Sequence, residues 1–273
     1  MSTAAILTAA GSGSRLGHLL PKALVPLAGV PLVVHAARRL VGSGAVDLLV
    51  VTAPADSVAD FQAVLDGAQL GIPVSLVVGG ASRQASVAAA LAQLPPEISV
   101  VLVHDAARAL APSSLIARVE AAVRSGLRAV VPGARVTDTI IEVAPAGGGA
   151  LDGRPLAGSV LEVVDNPDRD ALRIVQTPQG FDRALLVRAH AAGAHRADDE
   201  TRAATDDASL VAALGEAVHV VTGDPDAAKI TTSRDLRLAE IVLADARAAD
   251  QSGVDPADDQ TGAHAVRHLG DRP

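Results

Sequence analysis

The 273-residue chain contains no cysteine, no tryptophan and no tyrosine, and only two phenylalanines. Without cysteine there is no disulfide framework, no thiolate nucleophile and no thiolate metal site. Aromatic residues at 1% of the chain cannot supply the stacking rings on which single-stranded nucleic acid lies. A basic footprint is missing as well, because 23 Lys+Arg stand against 31 Asp+Glu for a net charge of −8. Nucleic acid is therefore not an expected partner. Long apolar runs are also absent: Val46 to Ala53 is interrupted by Asp47 and falls far short of a bilayer span. No membrane partner is expected either. Nothing basic precedes the apolar start Met1-Ser2-Thr3-Ala4-Ala5-Ile6, which reads as a first strand and not as a signal peptide, so a cytoplasmic protein is expected. Lysine is scarce too. Of the 23 cations only Lys22 and Lys229 are lysine.

What the chain does have is an alternation of short apolar runs with helical spacing. Ala4 to Ala9, Asp47 to Thr52, Val74 to Val78, Val100 to Val103 and Ala129 to Pro132 are nearly unbroken apolar runs, as strands buried on both faces are. Pro31 to Leu40, Val58 to Leu65, Arg83 to Leu91 and Pro112 to Arg124 fall between them with helical spacing. Later helices are expected after Phe181, from Asp206 to Leu214 and from Arg234 to about Ala248, with a strand from Val218 to Thr222. The pattern predicts one α/β layered domain over residues 1–248, with a mostly parallel sheet and ligands at the carboxyl ends of its strands.

Between about residues 135 and 175 the rhythm changes. Thr137 to Val143 and Ser159 to Val164 are β-branched runs separated by a glycine-rich stretch, which predicts a projecting β-hairpin arm. Such an arm exposes unpaired edges and apolar surface, so a partner subunit in a homodimer is expected to cover it. Residues 249–273 lack any apolar period and read as a disordered tail.

Three loops carry candidate chemistry. The first runs Ala9-Ala10-Gly11-Ser12-Gly13-Ser14-Arg15 and on to Pro21-Lys22. Its glycine spacing fails the dinucleotide fingerprint, and no Gly-Lys-Ser/Thr follows to make a P-loop. What remains is a turn whose bare N–H groups can approach a phosphate chain, with Arg15 and Lys22 as nearby cations. The same residues would also make a plain tight turn with two solvated cations. After the third strand, Gly79-Gly80-Ala81 allows the backbone to lie against a flat base, and Ser86 can exchange a hydrogen bond with its edge. A simple glycine turn is the alternative. After the fourth strand, Asp105 in His104-Asp105-Ala106-Ala107-Arg108 suits Mg²⁺, which takes carboxylate oxygens beside substrate phosphates. An aspartate there is also a common cap or turn residue. His104 reads as structural.

Taken in order with Thr137-Asp138-Thr139, Gln176-Thr177-Pro178-Gln179-Gly180-Phe181, Thr205-Asp206-Asp207-Ala208-Ser209 and Lys229-Ile230-Thr231, these blocks resemble the 2-C-methyl-D-erythritol 4-phosphate cytidylyltransferase family from about residue 4 to residue 243. The resemblance implies a Rossmann-like nucleotidyltransferase that joins CTP to methylerythritol phosphate. The products are 4-diphosphocytidyl-2-C-methyl-D-erythritol and pyrophosphate, in non-mevalonate isoprenoid biosynthesis, with Mg²⁺ or another divalent cation. Carried over residue by residue, it places the CTP phosphates on the loop with Ala10, Gly11 and Gly13, where Arg15 and Lys22 stabilise the transition state. Cytosine falls at Gly80, Ala81 and Ser86, while Asp105 and Ala106 lie by the nucleotide, Asp105 also holding the metal. Arg108 falls near the second substrate. Arg169 and Lys229 position the methylerythritol phosphate, with Thr139, Thr177 and Thr205 adding polar contacts. The resemblance also implies an arm exchanged across a homodimer, so that Thr139 and Arg169 serve the neighbouring site. Three departures stand out: Ala109 where the family usually has proline, Ala81 where an acidic residue is common, and a long hairpin from Ala144 to Gly158.

Two rival readings share parts of this pattern. A related pyrimidine nucleotidyltransferase, such as one acting on ribitol 5-phosphate, would keep the nucleotide loop and differ at Thr139, Arg169, Thr205 and Lys229. A nucleotide-binding regulator would keep the glycines and need no paired Arg15 and Lys22.

Overall fold

The computed structural model describes residues 2–11, 20–145, 150–151, 154–155 and 160–252. Its first half runs β1 (Ser2–Thr8), a small hairpin of β2 (Pro26–Leu27) and β3 (Val30–Pro31), α1 (Leu32–Gly42), β4 (Leu48–Ala53), α2 (Val58–Ala68), β5 (Val74–Val78), α3 (Arg83–Leu91), β6 (Ile98–Asp105), α4 (Ser113–Arg124) and β7 (Ala129–Arg135). The arm follows as β8 (Glu142–Pro145), β9 (Ala150–Leu151), β10 (Arg154–Pro155) and β11 (Leu161–Asp165). The chain then returns through β12 (Arg173–Val175), β13 (Gln179–Asp182), α5 (Arg183–Ala192), α6 (Asp207–Ala212), β14 (His219–Thr222) and α7 (Ser233–Ser252).

The central sheet has the order β12-β7-β13-β6-β1-β4-β5, with β14 also pairing β7. The pairs β6-β1, β1-β4, β4-β5 and β14-β7 are parallel. Because adjacent residues of a strand point to opposite faces, the unbroken apolar runs feed two cores. Ala5 and Leu7 of β1, with Leu49 and Val51 of β4, meet α1, α2 and α4 on one face. Ala4 and Ile6, with Val50, Val101 and Val103, meet α3, α5 and α6 on the other. The two phenylalanines divide between these layers. Phe61 fills the first and Phe181 the second, each with no solvent exposure. The last helix, α7, packs Ala239 and Leu243 against Val25, Leu27 and Leu32 of the small hairpin region.

The structure corrects three expectations. In the sequence, residues 173–182 read as the close of the arm and the approach to a helix, but they form β12 and β13, both antiparallel in the central sheet. Pro178 and Gly180 make the stretch look like a loop, yet the glycine is what admits it. A Cβ on Gly180 would come within 2.7 Å of Val119 on α4, so only hydrogen lets the helix lie there. The arm itself pairs over a shorter span than its β-branched runs suggest: β8 and β11 are antiparallel, with Val163 opposite Val143, and Thr137 to Ile141 form no strand. Finally, α7 continues to Ser252, beyond the expected end near Ala248. The expected tail beyond that point lies outside the described residues.

Candidate active site

The carboxyl ends of β1, β4, β5 and β6 border a cleft of about 390 Å³. Its floor is backbone. The Ala9 amide donates to the Thr52 carbonyl, the Gly79 amide to that of Ala53 and the Ala106 amide to that of Thr8, so each parallel strand ties the turn that leaves its neighbour. The Ile230 amide donates to the Ala107 carbonyl at 2.8 Å and thereby brings the segment with Lys229 to the same rim. Gly79 is required by close approach: a Cβ there would meet the Ala10 methyl at 2.5 Å and Ser86 Oγ at 2.9 Å. Ser86 Oγ accepts from the Gly80 amide at 3.1 Å and donates to the Ser82 carbonyl at 2.8 Å, which shapes the glycine turn.

One chain of ion pairs and hydrogen bonds runs through the wall of this cleft. Lys229 Nζ lies 2.8 Å from Asp105 Oδ2, and Arg83 Nε lies 3.1 Å from Asp105 Oδ1. Arg83 Nη1 lies 2.7 Å from Asp207 Oδ2, and Asp207 Oδ1 meets His190 Nε2 at 2.9 Å. Asp207 is 1% exposed, and its backbone amide donates to Gln179 Oε1. Burial by itself would push both carboxyls up. The Arg83 and Lys229 cations override this at Asp105, and Arg83 with the His190 hydrogen bond does so at Asp207, so both stay below the usual carboxylate range. Burial likewise disfavours the Arg83 charge, but Asp207 and Asp105 hold its pKa above the ordinary value. Burial pushes His104 down to about 4, with Asp105 opposing, so its imidazole is neutral. As read from the sequence, His104 has a structural setting: it is fully buried, with Nδ1 2.9 Å from Thr177 Oγ1.

Of the residues singled out in the sequence, Ala10, Gly11, Lys22, Gly80, Ala81, Ser86, Asp105, Ala106 and Lys229 come together along this cleft. Gly13 and Arg15 lie outside the described residues. Thr177 stands behind the wall and does not line it: its buried hydroxyl accepts from the Asp105 amide at 3.1 Å and meets His104, so it orients Asp105. Arg108 is also committed inward, donating to the carbonyls of Ala227 and Val175. Thr205 is exposed and does not line the cleft. Thr139 and Arg169 sit at the arm, where Arg169 Nη1 donates to the Thr137 carbonyl, and neither lines the cleft of its own chain.

Sequence reasoning left four residues without a role: Arg83, Asp207, His190 and Glu200. Asp207 belongs to a block quoted for the resemblance, and Arg83 lies between Ala81 and Ser86 of another, which is a signal. For His190 and Glu200 there was none, because nothing local shows that His190 meets Asp207 or that Glu200 borders the cleft.

Among the described residues, Asp105 and Glu200 are the carboxylates that line the cleft. Among the described residues no group of three or more His, Cys, Asp or Glu forms a metal cage. Mg²⁺ is commonly held by one or two carboxylates plus substrate phosphates and water. The donor set fits an ion that arrives with a nucleotide, provided Lys229, whose side chain is 45% exposed, releases Oδ2.

The model of the family 2-C-methyl-D-erythritol 4-phosphate cytidylyltransferase (IspD) matches residues 3–245. A relative of that name in Streptomyces coelicolor is 48% identical over 250 residues, covering 91% of this chain and 87% of the relative. One in Nocardia farcinica is 48% identical over 248 residues, covering 91% and 96%. Among solved structures, the 2-C-methyl-D-erythritol 4-phosphate cytidylyltransferase of Thermus thermophilus is 36% identical, with a TM-score of 0.64 over 89% of this chain and 100% of that one. The 4-diphosphocytidyl-2C-methyl-D-erythritol synthase of Anaerococcus prevotii aligns with a TM-score of 0.72 at 25% identity, covering 89% and 98%. With its cleft at the strand ends and a match spanning nearly all of its length, the chain belongs to the 2-C-methyl-D-erythritol 4-phosphate cytidylyltransferase family.

Proposed function

We propose that this cleft transfers CMP from CTP to 2-C-methyl-D-erythritol 4-phosphate, releasing pyrophosphate, with the roles of individual residues as follows. The observation that carries the reading is the position of the two lysines. In an acidic chain that otherwise uses arginine, both Lys22 and Lys229 line the same cleft.

A phosphate monoester has a second pKa near 6, so at neutral pH its oxygen is already an anionic nucleophile and needs no general base. That oxygen attacks the α-phosphorus in line; the new P–O bond forms as the bond to the β-phosphate bridge breaks, and pyrophosphate leaves with the electron pair. The obstacle is repulsion between two polyanions, and the chain's work is to neutralise and align them. Backbone amides of Ala10 and Gly11 and the Lys22 ammonium receive the triphosphate, a task shared by Arg15. Gly80, Ala81 and Ser86 bound the base. Lys229 passes from Asp105 to the acceptor phosphate and holds it for attack. A bound Mg²⁺ would supply further neutralisation of the triphosphate, held by the Asp105 oxygen that Lys229 gives up.

The acceptor site is completed by a neighbouring subunit. Ile140, Ile141, Val143, Leu161, Val163 and Val164 on the arm are each 39–56% exposed, an apolar surface that a second copy would cover in a homodimer. Thr139 and Arg169 then reach the partner's cleft. Among the described residues no helix is long and apolar enough to cross a membrane, which suits the cytoplasmic placement proposed here.

The deciding experiment incubates CTP and Mg²⁺ with methylerythritol phosphate, ribitol 5-phosphate or a sugar 1-phosphate and reads pyrophosphate release. Turnover with methylerythritol phosphate alone is expected. A preference for ribitol 5-phosphate would transfer the assignment to the rival enzyme.

A further inference from the structure

The guanidinium of Arg83 meets Asp105 with half of a two-point grip. Nε and Nη2 share the edge of the planar group on which a carboxylate is held through both oxygens. Here Nε alone reaches Asp105, with Oδ1 at 3.1 Å, while Nη2 is buried with no hydrogen-bond partner among the described residues. The second oxygen, Oδ2, belongs to Lys229 at 2.8 Å. Oδ1 also lies 3.2 Å from the Thr8 hydroxyl, and the Asp105 amide donates to Thr177 Oγ1, so the carboxylate is fixed through Oδ1 and its backbone. Oδ2 is the oxygen left to change partners.

A buried donor without an acceptor gains by finding one, and a fork closed on Asp105 would claim Oδ2. What opposes closure stands at the far corner of the guanidinium. Asp207 Oδ2 holds Nη1 at 2.7 Å, a shorter contact than the one to Asp105. Asp207 has little freedom of its own. It is 1% exposed, its Oδ1 meets His190 Nε2 at 2.9 Å, and its amide and that of Ala208 both donate to Gln179 Oε1.

We propose that Asp207 is a positioning residue: it restrains Arg83 to one oxygen of Asp105 and so keeps Oδ2 exchangeable between Lys229 and a divalent cation that arrives with the nucleotide. The cation's part in this rests on the reading of the cleft as a CTP site. The restraint itself concerns only side chains of this protein.

A crystal structure of Asp207→Ala without ligands tests the restraint directly. Arg83 Nε and Nη2 are expected on the two oxygens of Asp105, with Lys229 displaced, and an Arg83 that still touches only Oδ1 overturns the proposal. Mn²⁺ affinity in the presence of CTP, read from the electron paramagnetic resonance of the free ion, tests the consequence. It is expected to fall by roughly 10- to 100-fold in Asp207→Ala, the usual loss when an outer-shell partner of a metal ligand is removed. Adding Arg83→Lys should restore most of it, because an ammonium is a point charge and cannot take both oxygens from one edge. An unmoved affinity overturns the proposal. So does a loss that Arg83→Lys leaves in place, since that is what a merely loosened fold would give. Should Asp207→Ala fail to fold, Asp207→Asn keeps the shape with a weaker, neutral acceptor and is read in the same two ways, with a smaller loss expected. If the native chain binds no Mn²⁺ with CTP, the metal reading fails instead, and the position of Arg83 in the variant structure still decides the restraint.

Discussion

The wall around Asp105 and the arm around Val163 are built on opposite terms. At the wall, polar side chains from β6, α3, α5, α6 and the segment before α7 pair with one another within a single chain: Lys229 with Asp105, Asp105 with Arg83, Arg83 with Asp207, and Asp207 with His190. On the arm, every residue of β11 is exposed, and apolar side chains face solvent on both sides of a two-stranded ribbon. A lone two-stranded ribbon is marginal in water. The wall therefore makes its pairs within one chain, with Arg83 Nη2 and His190 Nδ1 left without a hydrogen-bond partner among the described residues, whereas the arm asks for a surface from outside. The nucleotide half of the site should be a property of one chain, and the acceptor half a property of an assembly.

That contrast fails first if the wall tolerates loss of a member. Asp207→Ala leaves Arg83 with one anion instead of two, and breaking a buried pair in this way costs roughly 3–5 kcal/mol. Urea unfolding of the variant should show a loss of that order, and a loss under about 0.5 kcal/mol, typical of surface changes, would mean the wall is not a unit. Lys229→Ala removes a cation that is half exposed, so stability should change little, while kcat for pyrophosphate release falls by roughly 10² to 10³, the usual loss for one preorganised donor. Lys229→Arg should not restore it, because a planar fork replaces a compact ammonium.

The fold beside the wall should also respond to pH. His104 is held neutral in the fold with a pKa of about 4, against 6.5 when exposed. Between those values the unfolded chain takes up the proton and the folded chain does not, so stability falls as pH drops from 6.5 to 4, by roughly 3 kcal/mol at most. Below pH 3.8 the depressed carboxyls of Asp105 and Asp207 add to the loss, since their stabilisation is present above that value and vanishes as they protonate. Thermal melts across this range should flatten between pH 6.5 and 4 in His104→Gln.

The smallest effect on stability is expected at the arm. Val163, 56% exposed in one chain, should tolerate Val163→Asp within about 0.5 kcal/mol in urea. Sedimentation should nonetheless shift from dimer toward monomer, and activity should fall with it. An active monomer would remove the shared acceptor site.

The central fold was legible because burial on both faces leaves a plain mark. Val74–Val78 and Arg83–Leu91 form with the bounds that their apolar runs and spacing suggest. The glycine turns were legible for a related reason: glycine is needed where segments of chain lie in close contact, and Gly79 against the Ala10 methyl is such a contact. β13 was not legible, since its cue is a missing side chain at Gly180, meaningful only once α4 lies against it. His190 was not legible either, because its imidazole acquires a setting from Asp207, brought by another element.

Local order thus fixes the alternation of strand and helix, the acidic balance and the two lone lysines, because periodicity and residue type act over a few positions. The assembly of Lys229, Asp105, Arg83, Asp207 and His190 into one connected wall depended on the fold. Coulomb and hydrogen-bond forces between such groups act over a few ångströms in space, and separation along the chain is no guide to that distance.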